Sequence, residues 1–175
     1  FIEKSIDSVI NQLFKNIEII IIHDDPSDKN FSLIERIKKK DKRIKIIRNT
    51  KNLGAGISRN LGIAASKGEY IAFLDADDVW YPDKLTLQID FMRSKNIEFS
   101  HTSYEIVNEN GNTLSERISP AQLEFNQLVK SWDIGLSSVI LKKTIIKNFE
   151  FPPLKTKEDY VLWLMLSKSG IKIYS

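Results

Sequence analysis

The sequence predicts an α/β fold with a mostly parallel central sheet flanked by helices, and three observations carry that prediction. Segments with apolar residues at helical spacing alternate with short apolar runs of strand length. The runs at Ile17–Ile22 and Tyr70–Leu74 are of the kind buried on both faces, as strands in parallel sheets are. Three of the expected strand ends then open into polar, mostly acidic loops, and open α/β sheets bind ligands beyond the carboxyl ends of their strands.

Glu3–Phe14 carries Ile6, Val9, Ile10 and Leu13 on one helical face. The isoleucine-rich run to Ile22 is the first strand. Asp28 can cap a helix over 29–40 that turns Leu33, Ile34 and Ile37 inward. Ile44–Arg48 is a second strand. Ala55–Ala65 is a helix stopped near Lys67-Gly68, and Tyr70–Leu74 a third strand. Pro82 suits the first turn of a helix running to Ser94. Ile97–His101 and Tyr104–Val107 are short strands, with Asn110-Gly111 as a turn signal.

The 175 residues suffice for one well-cored domain, and 42% hydrophobic with 28% charged residues is an ordinary globular composition. No apolar run approaches the roughly 18 residues of a membrane-spanning helix. A net charge of +3 does not point to nucleic acid. The basic run from Lys38-Lys39-Lys40 to Lys45 reads as a solvated helix end, where cations are favourable, rather than an anion-binding patch. With no cysteine, disulfides and thiolate metal sites are excluded. Only His23 and His101 could offer nitrogen, so any metal is expected to be a hard, oxygen-ligated ion.

Four segments can carry chemistry. In Phe73-Leu74-Asp75-Ala76-Asp77-Asp78, residues i and i+2 of an extended chain face the same way, so Asp75 and Asp77 can converge on Mg²⁺ or Mn²⁺. The plainer alternative is that Asp77 or Asp78 caps the next helix. Asp24 and Asp25 follow a strand and can accept hydrogen bonds from a base or ribose, or serve only as turn acids before Ser27. Asn52–Asn60 contains Gly54 and Gly56, which would let the backbone approach a ligand. It is not a dinucleotide fingerprint, because Arg59 stands where the third glycine belongs. Arg59 could reach a phosphate or an acidic loop, or form a surface pair. Glu158 and Asp159 open an apolar helix, where negative charge is favourable in itself. One of them could instead take a proton from an acceptor hydroxyl.

Together these segments resemble the family 2 glycosyltransferases, with the GT-A fold. Ser5-Ile6-Asp7-Ser8-Val9-Ile10-Asn11-Gln12 is similar to the family's first helix, and Ile19–Asp28 to its V-D-D-G-S-x-D segment. Asn52-Leu53-Gly54, Arg59-Asn60, Gly62-Ile63, Ala65 and Gly68-Glu69-Tyr70-Ile71 follow N-x-G…A-R-N-x-G…A-x-G-[ED]-[YF]-[IV]. Phe73–Asp78 reads as F-L-D-x-D-D, and Glu158-Asp159 with Trp163 as E-D-x-x-x-W. Pro26 and a segment one residue short leave the roles of Asp24 and Asp25 unseparated.

The resemblance implies a metal-dependent inverting glycosyltransferase of the bacterial surface-polysaccharide type. Asp24 or Asp25 would bind the nucleobase. Gly54, Arg59 and Asp75 would complete the nucleotide site, Asp77 with Asp75 would hold Mg²⁺ or Mn²⁺, and Asp159 would be the general base. The donor would be a nucleoside-diphosphate sugar, most often a UDP-sugar, and the acceptor a saccharide or lipid-linked saccharide. The expected location is the cytoplasm at the inner face of the cell membrane, with any membrane association made by regions outside this chain. The chain is expected to be one domain shortened at both ends, with residues 1–104 binding the donor and 105–175 forming the acceptor side. There Trp132 could pack on a sugar face or simply lie in the core. Two competing readings are a non-catalytic nucleotide-sugar or polysaccharide binding module of the same fold, and a sugar-phosphate nucleotidylyltransferase.

Overall fold

The computed structural model describes residues 1–27, 31–130 and 134–175. Through the first half helices and strands alternate: α1 (Ile2–Ile10), β1 (Ile19–His23), α2 (Phe31–Lys38), β2 (Ile44–Arg48), α3 (Ala55–Ala65), β3 (Tyr70–Ala72), α4 (Lys84–Ser94) and β4 (Phe99–Ser100). A hairpin of β5 (Tyr104–Val107) and β6 (Thr113–Arg117) follows, turning at Gly111 with φ +83°. Then come β7 (Gln122–Leu123), α5 (Phe125–Leu128), a 3-10 turn at Leu136–Ser138, β8 (Ile140–Lys142), α6 (Lys143–Ile146), α7 (Glu158–Lys168) and β9 (Ile173–Tyr174). The expected cap Asp28 and the expected sugar-facing Trp132 lie outside the described residues.

The sheet is not mostly parallel, and this corrects the sequence expectation. β1 and β2 do pair in parallel, from Ile19↔Ile44 to His23↔Arg48. The larger sheet has the order β3-β8-β4-β9-β7, and in it only β4–β9 is parallel. The cause is β8, a three-residue apolar strand that inserts antiparallel between β3 and β4. No helical crossover delivers it: it follows directly on a 3-10 turn, so the alternation that argues for parallel strands does not apply there. β1 and β3 belong to different sheets, and both contribute to the lining of a cavity of about 890 Å³, which includes Ile19–Ile22, Tyr70–Leu74, Asp24, Arg59 and Asp75.

α1 is shorter than its apolar pattern suggests. Gln12 is fully buried, donating to Ser8 O and Tyr81 O (2.7 Å) and accepting from Leu85 N at the start of α4. Leu13 N donates to Pro82 O instead of continuing the helix. The main core centres on α7. Trp163 is fully buried, its ring centroid 5.0 Å from Phe99, 6.0 Å from Phe151 and 6.3 Å from Phe73. A second cluster joins Ile6 of α1 to Ile19, Ile37 and Ile44 under the β1–β2 pair. Among the described residues no helix is long and apolar enough to cross a membrane.

Candidate functional site

The site forms where β1, β3 and α7 meet the N-terminal half of α3. Asp24, just past β1, turns its carboxylate onto the loop that enters α3. It accepts from Leu53 N (2.8 Å), Gly54 N (2.8 Å) and the Asn49 side chain (2.7 Å). Burial alone would raise this carboxyl, but the hydrogen bonds from Asn49, Leu53, Gly54 and Ser58 hold it below the usual carboxylate range. Gly54 adopts φ +84°, which an L-residue rarely takes. Asp25 forms a local turn, accepting from Ser27 N (2.9 Å) and Ser27 Oγ (2.8 Å). The two adjacent acids thus part: Asp24 organises the glycine loop, and Asp25 is the more peripheral.

Gly56 has a packing reason that the sequence reading did not include. A Cβ there would stand 2.7 Å from Pro152 O, so its bareness lets α3 touch the 151–158 segment. Asn60 reads the same segment as a strand would, donating to Phe151 O and accepting from Phe151 N, both at 2.9 Å. One helical turn therefore seats the chain that leads into α7.

Arg59, on that same turn, joins the two acidic clusters. Its Nη2 donates to Asp75 Oδ1 (2.9 Å), and its Nη1 to Glu158 Oε1. Glu158 is buried and Arg59 only 20% exposed, so their pair is shielded from screening solvent, whereas the Asp75 side chain is 43% exposed and its pair is open to screening. Of the contacts expected for Arg59, the structure shows the one to the acidic loop.

The Phe73–Asp78 segment leaves the β3 ladder after Ala72 and turns. Asp75 is half-buried, and Ser5 Oγ of α1 donates to its carbonyl at 3.2 Å. Asp77 is exposed and makes no hydrogen bond or ion pair among the described residues. Asp78 accepts from Ser137 Oγ (2.6 Å), which in turn accepts from Asp75 N (3.0 Å). Desolvation, opposed by the Ser137 hydrogen bond and aided by the charges of Asp75 and Asp77, pushes the Asp78 carboxyl above the usual range, although the residue as a whole is exposed. Neither Asp77 nor Asp78 caps a helix, because α4 begins at Lys84 behind Asp83.

At the start of α7, Lys157 adopts φ +65° and Glu158 and Asp159 form the first turn. Asp159 Oδ1 accepts from Tyr160 N at 2.7 Å. Burial, and next to it the Glu158 charge, push the Asp159 carboxyl up; the Tyr160 N–H and Arg59 only partly oppose this. Trp163, four residues on from Asp159, is a core residue rather than a site residue.

Both histidines lie in the core, and burial pushes His101 down to about 4. Among the described residues no three His, Asp or Glu side chains converge as a closed metal cage. Three of the six cations in the basic run have acidic partners: Lys40 pairs with Asp7, Arg43 with Asp41 and Lys45 with Glu18. Sequence reasoning missed Ser137. A hydroxyl about sixty residues downstream of the acids it holds carries no spacing signal.

Residues 1–149 match the family described as Glycosyl transferase family 2. The chain belongs to glycosyltransferase family 2. Among curated relatives of this family-2 chain, WfgD of Escherichia coli, a UDP-Glc:alpha-D-GlcNAc-diphosphoundecaprenol beta-1,3-glucosyltransferase, is 39% identical over 97% of the chain. WfaP of the same organism, with the same described activity, is 40% identical over 96%. The chain spans 65% of the length of each. TuaG of Bacillus subtilis (strain 168), a putative teichuronic acid biosynthesis glycosyltransferase, is 32% identical over 99% of this chain and 69% of its own. Among solved structures, S. aureus TarS 1-349 in complex with UDP-GlcNAc superposes with TM-score 0.79 at 19% identity, over 100% of this chain and 52% of that one. The mannosyltransferase PcManGT from Pyrobaculum calidifontis, in complex with GDP-Man and Mn2+, gives 0.75 at 15% identity, over 99% and 50%. These likenesses establish the α/β GT-A fold for the family-2 chain.

Proposed function

We propose that this protein transfers a sugar from a UDP-sugar to a saccharide or lipid-linked saccharide acceptor, with inversion at the anomeric carbon, in cell-surface polysaccharide synthesis. The observation that carries the reading is the Arg59 bridge. It holds Asp75, at the exit of β3, and Glu158, the neighbour of Asp159, on one guanidinium, so a donor-side acid and the start of the helix carrying the candidate base are tied together.

Asp159 is the general base. The acceptor oxygen attacks the anomeric carbon, its proton passes to the Asp159 carboxylate, and the bond from that carbon to the diphosphate oxygen breaks, releasing UDP. A carboxylate suffices, because the hydroxyl becomes strongly acidic only as the new C–O bond forms. Asp25 and the loop fixed by Asp24 and Gly54 face the nucleoside, and residues 105–175 supply the acceptor side.

Asp77 and Asp75 are the residues that would hold Mg²⁺ or Mn²⁺. The donor set fits such an ion: Asp77 is exposed and unpaired among the described residues, and Mg²⁺ sites commonly use one or two carboxylates with substrate phosphates instead of an all-protein cage. When bound, the cation offsets charge on the departing diphosphate. Support for the donor and acceptor classes comes from the described activities of WfgD and WfaP, and for a divalent cation from the Mn2+ in the PcManGT complex.

The test is a panel of UDP-sugars with lipid-linked saccharide acceptors, run on the full-length protein with and without Mn²⁺. Release of UDP and a product of inverted anomeric configuration is expected only with metal. Donor binding with no turnover would instead make this a binding module, and released pyrophosphate would mark a nucleotidylyltransferase.

A further inference from the structure

We propose that Ser137 is a positioning residue for the acidic loop after β3, acting through Asp78 to present Asp77 to the donor's metal. This rests on the transferase reading above.

Ser137 lies in the 3-10 turn just before β8, far in sequence from the loop it holds. It touches that loop three times. Its Oγ accepts from Asp75 N (3.0 Å) and donates to Asp78 Oδ2 (2.6 Å), and its carbonyl accepts from Trp80 Nε1 (2.7 Å). A hydroxyl has one proton. Because the Asp75 N–H occupies an acceptor lobe, that proton is directed at Asp78. The hydrogen bond therefore has one sense: Asp78 is drawn back toward β8, while Asp75 is drawn off to Arg59 (2.9 Å). Asp77, between them, is left exposed without a protein partner among the described residues. Two further contacts to the loop come from α1: Ser5 Oγ donates to Asp75 O, and Ser8 Oγ accepts from Trp80 N. A site held within about half an ångström needs such support from behind.

Ser137 also lies in the half of the chain assigned to the acceptor, so the same hydroxyl makes the metal loop depend on the acceptor-side segment being in place. A charge-assisted bond of this kind is roughly twice as strong as a neutral one, and its loss frees the loop rather than removing a ligand.

The test is calorimetric titration of UDP into the full-length protein, with and without Mn²⁺. Ser137→Ala is expected to weaken Mn²⁺-dependent UDP binding about tenfold, leaving metal-free UDP binding within about twofold. Ser137→Thr, which keeps the hydroxyl, should recover most of the loss. In turnover the donor KM should rise with kcat much less affected. Equal Mn²⁺-dependent binding in wild type and Ser137→Ala, or a Ser137→Thr no better than Ser137→Ala, overturns the role. If Ser137→Ala does not fold, the bond is read from its other end. Asp78→Asn keeps an acceptor for the hydroxyl but not its charge and should lose clearly less than Asp78→Ala, which should lose about tenfold. Equal losses, or none in either, overturn the proposal. A wild type with no Mn²⁺-dependent UDP binding removes the metal assignment and Ser137 with it. A wild type that binds, beside indifferent variants, removes Ser137 alone.

Discussion

At Asp159, burial and the neighbouring Glu158 charge hold the carboxyl above its ordinary value, and at Asp24 four hydrogen bonds hold it below. The two shifts make different predictions. A base must be deprotonated to act, so the acid limb of kcat/KM against pH should fall above the ordinary Asp value of about 3.9. Asp159→Asn should keep donor binding and lose about 10²–10⁴-fold in transfer; retained turnover would remove Asp159 from the chemistry. For Asp24 the lowered carboxyl stabilises the fold. That contribution is complete above the unfolded value of about 3.9 and disappears as pH falls through the lower folded value. Asp24→Asn would set an amide against the Leu53 and Gly54 N–H groups. Urea unfolding should show a loss of roughly 1–3 kcal/mol at pH 7, shrinking as the wild type is itself protonated in acid. Position along the chain made both residues legible, since each follows a strand or opens a helix. Their division of labour was not, because Asp24 is committed by the fold of a loop thirty residues away. Ser137 was illegible for the same reason: only the tertiary turn brings it to Asp75 and Asp78.

Among the elements, α3 does much to place the segment that carries Asp159. Three of its residues seat the chain entering α7: Gly56 by having no side chain, Asn60 by pairing with Phe151, and Arg59 by its bond to Glu158. Gly56→Ala sets a methyl 2.7 Å from Pro152 O, a backbone atom that cannot rotate away. Overpacking of this kind costs about 1–3 kcal/mol. Because the displaced segment carries Asp159 and not the nucleotide loop, kcat should fall more than UDP affinity. A loss of UDP binding equal to the loss of kcat, by calorimetry and initial rates, would contradict this. The bounds of α3 and of β2 (Ile44–Arg48) coincide with those read from the sequence, since apolar periodicity and flanking Gly and Asn agree there. β3 is shorter than its apolar run because Phe73 and Leu74 leave the ladder for the core and the turn. β8 was not read at all: three residues after a 3-10 turn show neither strand nor helix periodicity.

In the molecule as a whole, helix–strand alternation revealed the class of fold but overstated its parallel character, because alternation says nothing of a strand that enters without a crossover. What joins the two halves is the aromatic cluster around Trp163. Phe73 leads from β3 to Asp75, Phe151 leads to Glu158, and Phe99 lies in β4; each packs on the indole. The donor acids and the candidate base therefore take their spacing from one buried side chain as well as from Arg59. Trp163→Ala should cost about 3–5 kcal/mol, a large part of the roughly 5–15 kcal/mol that holds a domain folded. Trp163 Nε1 is buried without a hydrogen-bond partner among the described residues, so Trp163→Phe removes an unsatisfied donor along with some volume. It should therefore be much the milder change. If the cluster sets the cleft, Trp163→Phe should also lower kcat severalfold at a temperature where urea titration shows it fully folded, with nearly unchanged UDP affinity. A folded Trp163→Phe protein with wild-type kcat would leave the spacing to the Arg59 bridge alone.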